Sequence, residues 1–304
     1  MVAMDAAARC VPTRASADWL RLSASAMSAE LRAGHLSSRA LVAAHIARIR
    51  VLNPCLNALV KARFEAALRE AEAADRRLAE KSAEAHEWLL GVPFTCKECF
   101  AVAGMPNASG LYARRDVVSQ HDAPTVQRLR AAGAIVLGVS NVSELCMWME
   151  TSNRLYGRTQ NPRELGRIVG GSSGGEAALV AAGASPFGLG SDVGGSIRMP
   201  AFFNGIFGHK PSAGWVPNQG QYPCAANGAQ RTLTTGPLTR HAEDLWPLLC
   251  TLAARPRVPL PEPDWSRLQV LDVRDNGVNP VEAALLYAQR AAADALRRRG
   301  AVVR

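Results

Sequence analysis

The chain has 304 residues, of which 48% are hydrophobic and 20% charged, and its net charge is +9. That length fits one large α/β domain or two ordinary ones and needs no disulfides or metals to hold it together, and the apolar content excludes a disordered chain. No 18-residue apolar run occurs, so no membrane-spanning helix is expected.

The Ala-rich start contains Asp5 and Arg9 and makes a poor signal peptide. Residues 27–53 read as helices, with Ser37 and Ser38 as cap candidates and Leu41, Val42, Ile46 and Ile49 on one face. Asn53-Pro54 is expected to stop the second helix. A short strand over 57–60 and a charged amphipathic helix over 63–83 follow. Gly91 to Cys96 reads as a buried strand ending at Lys97, residues 125–132 as a helix and 134–139 as a strand. A glycine-opened helix at 176–182, a strand at 186–190, a helix at 242–253, a strand at 268–273 and a helix at 281–299 complete the pattern. This alternation predicts an α/β fold with a mixed sheet covered by helices on both faces. The proline-rich run 254–267 is the best linker candidate. Ala301 to Arg304 reads as a strand at its beginning with no covering layer, so the fold is expected to be incomplete at the C-terminus.

Four lysines, Lys61, Lys81, Lys97 and Lys210, stand against 31 arginines. The arginines are scattered and form no stripe interleaved with aromatics. They read as a solvated surface, and no nucleic-acid partner is expected. The seven cysteines, at 10, 55, 96, 99, 146, 224 and 250, are odd in number and fit a reducing, cytoplasmic compartment. Cys96 and Cys99 are formally a C-x-x-C, but no second pair or histidine stands at ligand spacing, so two packed free thiols are expected and no metal.

The chemistry concentrates in residues 168–209. Gly170-Gly171-Ser172-Ser173-Gly174-Gly175-Glu176 is followed by Gly190-Ser191-Asp192-Val193-Gly194-Gly195-Ser196-Ile197-Arg198. Glycines beside a serine let backbone N–H groups face a cavity and hold an oxyanion. Two such serine loops, with Lys97 at the end of a buried strand, suggest acyl transfer without histidine. Residues 170–174 and 171–175 also satisfy G-x-S-x-G, the nucleophile elbow of esterases, with His209 or His241 as the base. A phosphate loop would need G-x-x-x-x-G-K-[ST], which is absent. Purely structural turns are the remaining reading.

The segments Gly91-Val92-Pro93, Lys97-Glu98, 170–176 and 190–200 resemble the amidase signature family of Ser-Ser-Lys amidohydrolases. The runs 200–211 and 143–148 are similar to the members that act on fatty-acid amides. The resemblance implies a single amidase domain over 1–304. Its parts would be a helical N-terminal region to about 85, a signature core over about 86–253 and a truncated C-terminal part. It implies a three-layer α/β/α fold around a mixed central sheet. It makes Ser196 the acyl-forming nucleophile, Ser172 a bridging serine in a cis peptide and Lys97 the base. Backbone N–H groups of Val193, Gly194, Gly195 and Ser196 would form the oxyanion hole, Cys146 would lie where the main chain meets substrate, and Ser173, Asp192 and Arg198 would support the loops. No metal or organic cofactor is implied. The implied partner is a small amide with an apolar acyl group, with a lipid or lipid-droplet surface and a homodimer as further associations. Within the same family a small-amide amidase or an ammonia-releasing amidotransferase subunit is the alternative, and a non-catalytic truncated homologue is the alternative outside it.

Overall fold

A computed structural model describes residues 18–225 and 228–304. Asp5, Arg9 and Cys10 lie outside the described residues. The chain divides after Arg257, inside the proline-rich run, into two compact units.

The first unit begins with α1 (Ala24–Arg32), capped by the Ser23 hydroxyl, and α2 (Ser38–Leu56), capped by the Ser37 hydroxyl. Pro54 does not stop α2. It falls in the last turn, and the helix ends two residues later, at Leu56, with Asn57 as its C-cap at φ +48°. The Asn53 side chain then accepts from Ala58 and Leu59 N–H, which turns the chain into the next strand. There follow β1 (Leu59–Ala62), α3 (Phe64–Ala79), β2 (Pro93–Lys97), α4 (Pro124–Ala131), β3 (Ile135–Ser140) and a small hairpin of β4 (Ser152–Asn153) and β5 (Gly157–Arg158). The unit closes with α5 (Gly174–Ala181), β6 (Phe187–Asp192), α6 (Arg198–Asn204), β7 (Phe207–Gly208), β8 (Thr234–Thr239) and α7 (Leu245–Ala253).

The sheet has the order β1-β3-β2-β6-β8-β7, with β2 parallel to β3 and β6 and the outer pairings antiparallel. The three parallel strands are buried along their whole length, as a sheet covered on both faces requires. Successive side chains alternate between the two layers. Phe94, Cys96, Val136 and Leu189 pack with Met27, Leu31, Leu129 and Leu248 of α1, α4 and α7. Ile135 and Leu137 pack with Val42, Ile46, Ala71 and Leu179 of α2, α3 and α5. The result is the α/β/α arrangement. The Phe94 and Phe187 rings stack across β2 and β6 with centroids 5.3 Å apart.

The sequence pattern does not disclose β8 or α6. Gly236 and Pro237 sit inside β8, and both residue types weaken a strand prediction. Gly236 is there because a Cβ would fall 2.1 Å from the His209 carbonyl oxygen.

The second unit contains β9 (Gln269–Val270), α8 (Ala283–Arg298) and β10 (Val302–Val303). The strand expected over 268–273 is only two residues long. Val302 and Val303 do find a neighbour, pairing in parallel with Gln269 and Val270.

Candidate active site

Three segments converge at the carboxyl ends of the parallel strands, the place where open α/β sheets put their sites. The first is the end of β2. Cys96 pairs with Leu189 of β6, so Lys97 and Ser191 emerge together at the same edge. Cys96 points into the layer of α1, α4 and α7, so the next side chain, Lys97, points toward α5. Lys97 has no solvent exposure. Its Nζ donates to Ser172 Oγ at 2.7 Å and to Ser191 Oγ at 3.1 Å.

The second segment is the glycine loop before α5. The Gly171–Ser172 peptide is cis, and Gly170 has φ +84°. A Cβ on Gly170 would lie 2.7 Å from Pro200 Cα, so only glycine fits there. Thr151 Oγ1 donates to the Gly170 carbonyl and accepts from Gly174 N–H, closing the loop around Ser172 and Ser173. The residues before Ser172 form no strand, so the strand–turn–helix context of a nucleophile elbow is missing. His241 Nε2 contacts the Arg21 carbonyl oxygen at 2.8 Å. Neither His209 nor His241 bonds to Ser172, Ser173 or Ser196 among the described residues.

The third segment is the turn from β6 into α6. Asp192, fully buried, holds it together. Asp192 Oδ1 accepts from Gly195 N–H at 2.7 Å, and Oδ2 accepts from Ile197 N–H at 3.1 Å. Arg198 Nε and Nη2 donate to the two oxygens at 3.0 and 3.1 Å. Burial pushes this carboxyl up, but the Arg198 guanidinium and the backbone N–H groups of Ile197, Gly195 and Arg198 outweigh it and hold it below the usual carboxylate range. Ser196 is half-buried at the tip of the turn. Its hydroxyl makes no hydrogen bond among the described residues, and its carbonyl accepts from Ser173 N–H at 3.2 Å. Ser173 Oγ donates to the Ser191 carbonyl at 3.4 Å, so Ser173 staples the second segment to the third.

The Gly195 N–H is directed at Asp192 Oδ1. The N–H groups of Val193, Gly194 and Ser196 have no acceptor among the described residues.

Cys146 stands beside these segments with φ +58°, following Leu145 at +54°. Its thiol lies 3.3 Å from Ser109 Oγ. The six described cysteines are all free thiols, Cys96 and Cys99 among them.

Four neighbouring groups carry no role in the sequence reading. Ser191 is the second acceptor of Lys97, visible only once β2 and β6 are paired. Glu176 is fully buried, accepts from Thr95 Oγ1 at 2.7 Å, and burial raises its pKa to about 8. A lone acid in a glycine- and alanine-rich helix start was the available signal. Burial likewise raises Glu98 to about 7, against donation from Ala108 N–H, the Tyr156 hydroxyl and Ser109 N–H. Glu98 thereby pins the loop that presents Ser109 to Cys146, and Tyr156 is the fourth group.

The amidase family model matches residues 40–267, three quarters of the chain and all three segments. The chain belongs to the amidase family. The chain is 50% identical over 283 residues to fatty-acid amide hydrolase 2-A of Danio rerio, covering 89% of the chain and 53% of that relative. It is 56% identical over 218 residues to fatty-acid amide hydrolase 2 of Homo sapiens, covering 70% of the chain and 41% of that relative. A solved structure of fatty acid amide hydrolase superposes with a TM-score of 0.86 at 25% identity, over 96% of this chain and 53% of that one. The chain thus spans about half the length of the relatives it matches.

Proposed function

We propose that the chain carries a serine amidohydrolase site that cleaves carboxylic amides with an apolar acyl part, through an acyl-enzyme on Ser196. The observation that carries this reading is the buried Lys97–Ser172 bond at 2.7 Å, set beside a turn that Asp192 braces and Ser196 tips. A serine hydroxyl is a weak nucleophile until a base takes its proton. Lys97 is the base and Ser172 the relay, because a hydroxyl can donate to one partner while accepting from another. Ser196 attacks the amide carbonyl. The N–H groups of Val193, Gly194 and Ser196 receive the developing oxyanion, each donor worth on the order of 100-fold in rate. Ser172 then returns the proton to the leaving nitrogen, the demanding step for an amide. Water, activated through the same relay, releases the acid.

The apolar acyl preference rests on two supports. Met147, Trp148 and Met149 are each more than half exposed. Their loop lies against the catalytic glycines: a Cβ on Gly171 would sit 2.6 Å from the Trp148 carbonyl oxygen. The relatives at 50% and 56% identity are named as fatty-acid amide hydrolases.

The test is hydrolysis of oleamide against acetamide and glutamine by the 304-residue chain. The reading expects kcat/KM for oleamide to exceed that for the two small polar amides by at least about 100-fold, because each buried CH₂ contributes about 0.8 kcal/mol. Equal rates for all three would overturn the acyl preference. Turnover of oleamide that survives Lys97→Met would overturn the mechanism.

A further inference from the structure

The mechanism above leaves Glu176 without a use. This acid sits in the first turn of α5 with no solvent exposure. Its Oε2 accepts from Thr95 Oγ1 at 2.7 Å, and its Oε1 has no hydrogen-bond partner among the described residues. Thr95 and Lys97 are two residues apart on β2, so their side chains share the face that looks toward α5. Thr95 pairs with Gly188 of β6, where Glu176 Oε2 leaves no room for a Cβ, so the carboxyl is pressed against the strands beside Lys97. Lys97 itself pairs with Ser140 of β3, whose buried hydroxyl is also without a partner and faces the carboxyl. Lys97 and Glu176 thus occupy one dry layer, with no salt bridge between them among the described residues. A lone charge is costly there, whichever of the two carries it.

The elements packed most closely against α5 are β2, β6, β8 and α6. β8 carries no titratable side chain, and neither does β3. Asp192 of β6 and Arg198 of α6 bind each other. On β2, burial pushes the Cys96 thiol well up and keeps it neutral. Lys97 is the remaining group on these elements that can set a charge against Glu176.

We propose that Glu176 is a positioning residue that acts through Lys97, as the counter-charge to the ammonium that forms there during the reaction. The inference rests on Lys97 as the base. When Ser196 attacks, it gives its proton to Ser172, and Ser172 gives its own to the Lys97 amine. With Glu176 as a neutral acid, this step creates a lone cation in the dry layer. With Glu176 as a carboxylate, the same step turns a lone anion into a neutral pair, so the carboxylate form is the faster one. The proton returns to the leaving nitrogen by the same path, and Glu176 neither gains nor loses one. Burial raises the Glu176 pKa to about 8, against Ser140, Thr95 and Lys97, so the faster form belongs to the alkaline side.

The experiment measures how fast a fluorophosphonate labels Ser196 from pH 6.5 to 9.5, in the 304-residue chain and in its Glu176→Gln variant. Glutamine keeps the size of the acid and an acceptor for Thr95, but it cannot ionise. The ratio of the unmutated rate to the variant rate is expected to grow by at least about tenfold across that range, the lower end of what a nearby opposite charge does. Glu98, the next residue, and Cys99 and Cys146, which feel the Lys97 charge, are the same in both proteins and cancel in the ratio. Thr95→Val removes the donor to Oε2 and disfavours the carboxylate, so it should move the alkaline rise to higher pH. That shift is read in a chain that retains Glu176 and stands even if the glutamine variant fails to fold. A flat ratio with Ser196 labelled would overturn this inference alone and leave Glu176 a packing residue. So would an alkaline rise that Thr95→Val leaves in place. Absence of label on Ser196 at every pH would overturn the amidohydrolase reading and this inference with it.

Discussion

Lys97 reaches Ser172 and Ser191 from a position with no solvent contact, and no other amine contacts either hydroxyl among the described residues. Lys97→Met is expected to lower kcat for an apolar amide by about 1,000-fold or more, the scale on which triad members act. His209→Ala should keep kcat within about threefold, because burial alone depresses that imidazole and nothing ties it to the serines. His241→Ala should behave likewise. A normally folded His209→Ala or His241→Ala variant without activity would restore the histidine-dependent esterase reading. Asp192 gives a pH test. Its folded pKa lies below its unfolded one, so the stability it contributes is present above the unfolded value and is lost as pH falls through the folded value. Asp192→Ala should therefore flatten the acid limb of a denaturation profile. It also strands the Gly195 and Ile197 N–H groups, at about 1–3 kcal/mol for each donor left dry. The residue types at this site were legible because a lysine at a strand end and serines among glycines have few structural uses. The direction of the Gly195 N–H was not, since only the closed turn shows that Asp192 has already claimed it.

At the scale of elements, the site depends on how close α5 lies to β2 and β6. A Cβ on Gly188 would fall 1.8 Å from Glu176 Oε2, whereas a Cβ on Gly194 meets nothing within 4 Å. Gly188→Ala is expected to cost on the order of 3 kcal/mol, as overpacking at a buried polar contact does, while Gly194→Ala should leave the melting midpoint nearly unchanged. Equal midpoints for the two variants would contradict the packing argument. Glu176 adds a second pH signature. Its folded pKa, about 8, is above its unfolded value, so its contribution is full below the unfolded pKa and declines as pH rises toward 8. Glu176→Gln keeps an acceptor for Thr95 and removes the titration. The variant should gain stability relative to the unmutated chain between pH 5 and 8, read as the difference in denaturant midpoint. Helical periodicity made α2 and α3 legible in the sequence, and continuous apolar runs made β2 and β3 so. β8 escaped because Gly236 is there for clearance from the His209 carbonyl and Pro237 lacks a ladder N–H, both against strand preference, and Pro54 misled because α2 continues two residues past it.

On the scale of the whole molecule, the alternation of helix and strand was enough to anticipate a mixed sheet between two helical layers. The strand order was not, because β1 and β8 join the sheet by antiparallel pairings between residues distant in sequence. The sheet places the ends of β2 and β6 side by side, and the two glycine loops close over them from α5 and α6. Everything functional in this account rests on one arrangement: Lys97 acting through Ser172 on Ser196. Fluorophosphonate labelling followed by peptide mapping tests it most directly. The account predicts an adduct on Ser196 in the unmutated chain, strongly slowed but unmoved in Ser172→Ala, and absent in Ser196→Ala. An adduct on Ser172 or Ser173 in the unmutated chain would contradict it.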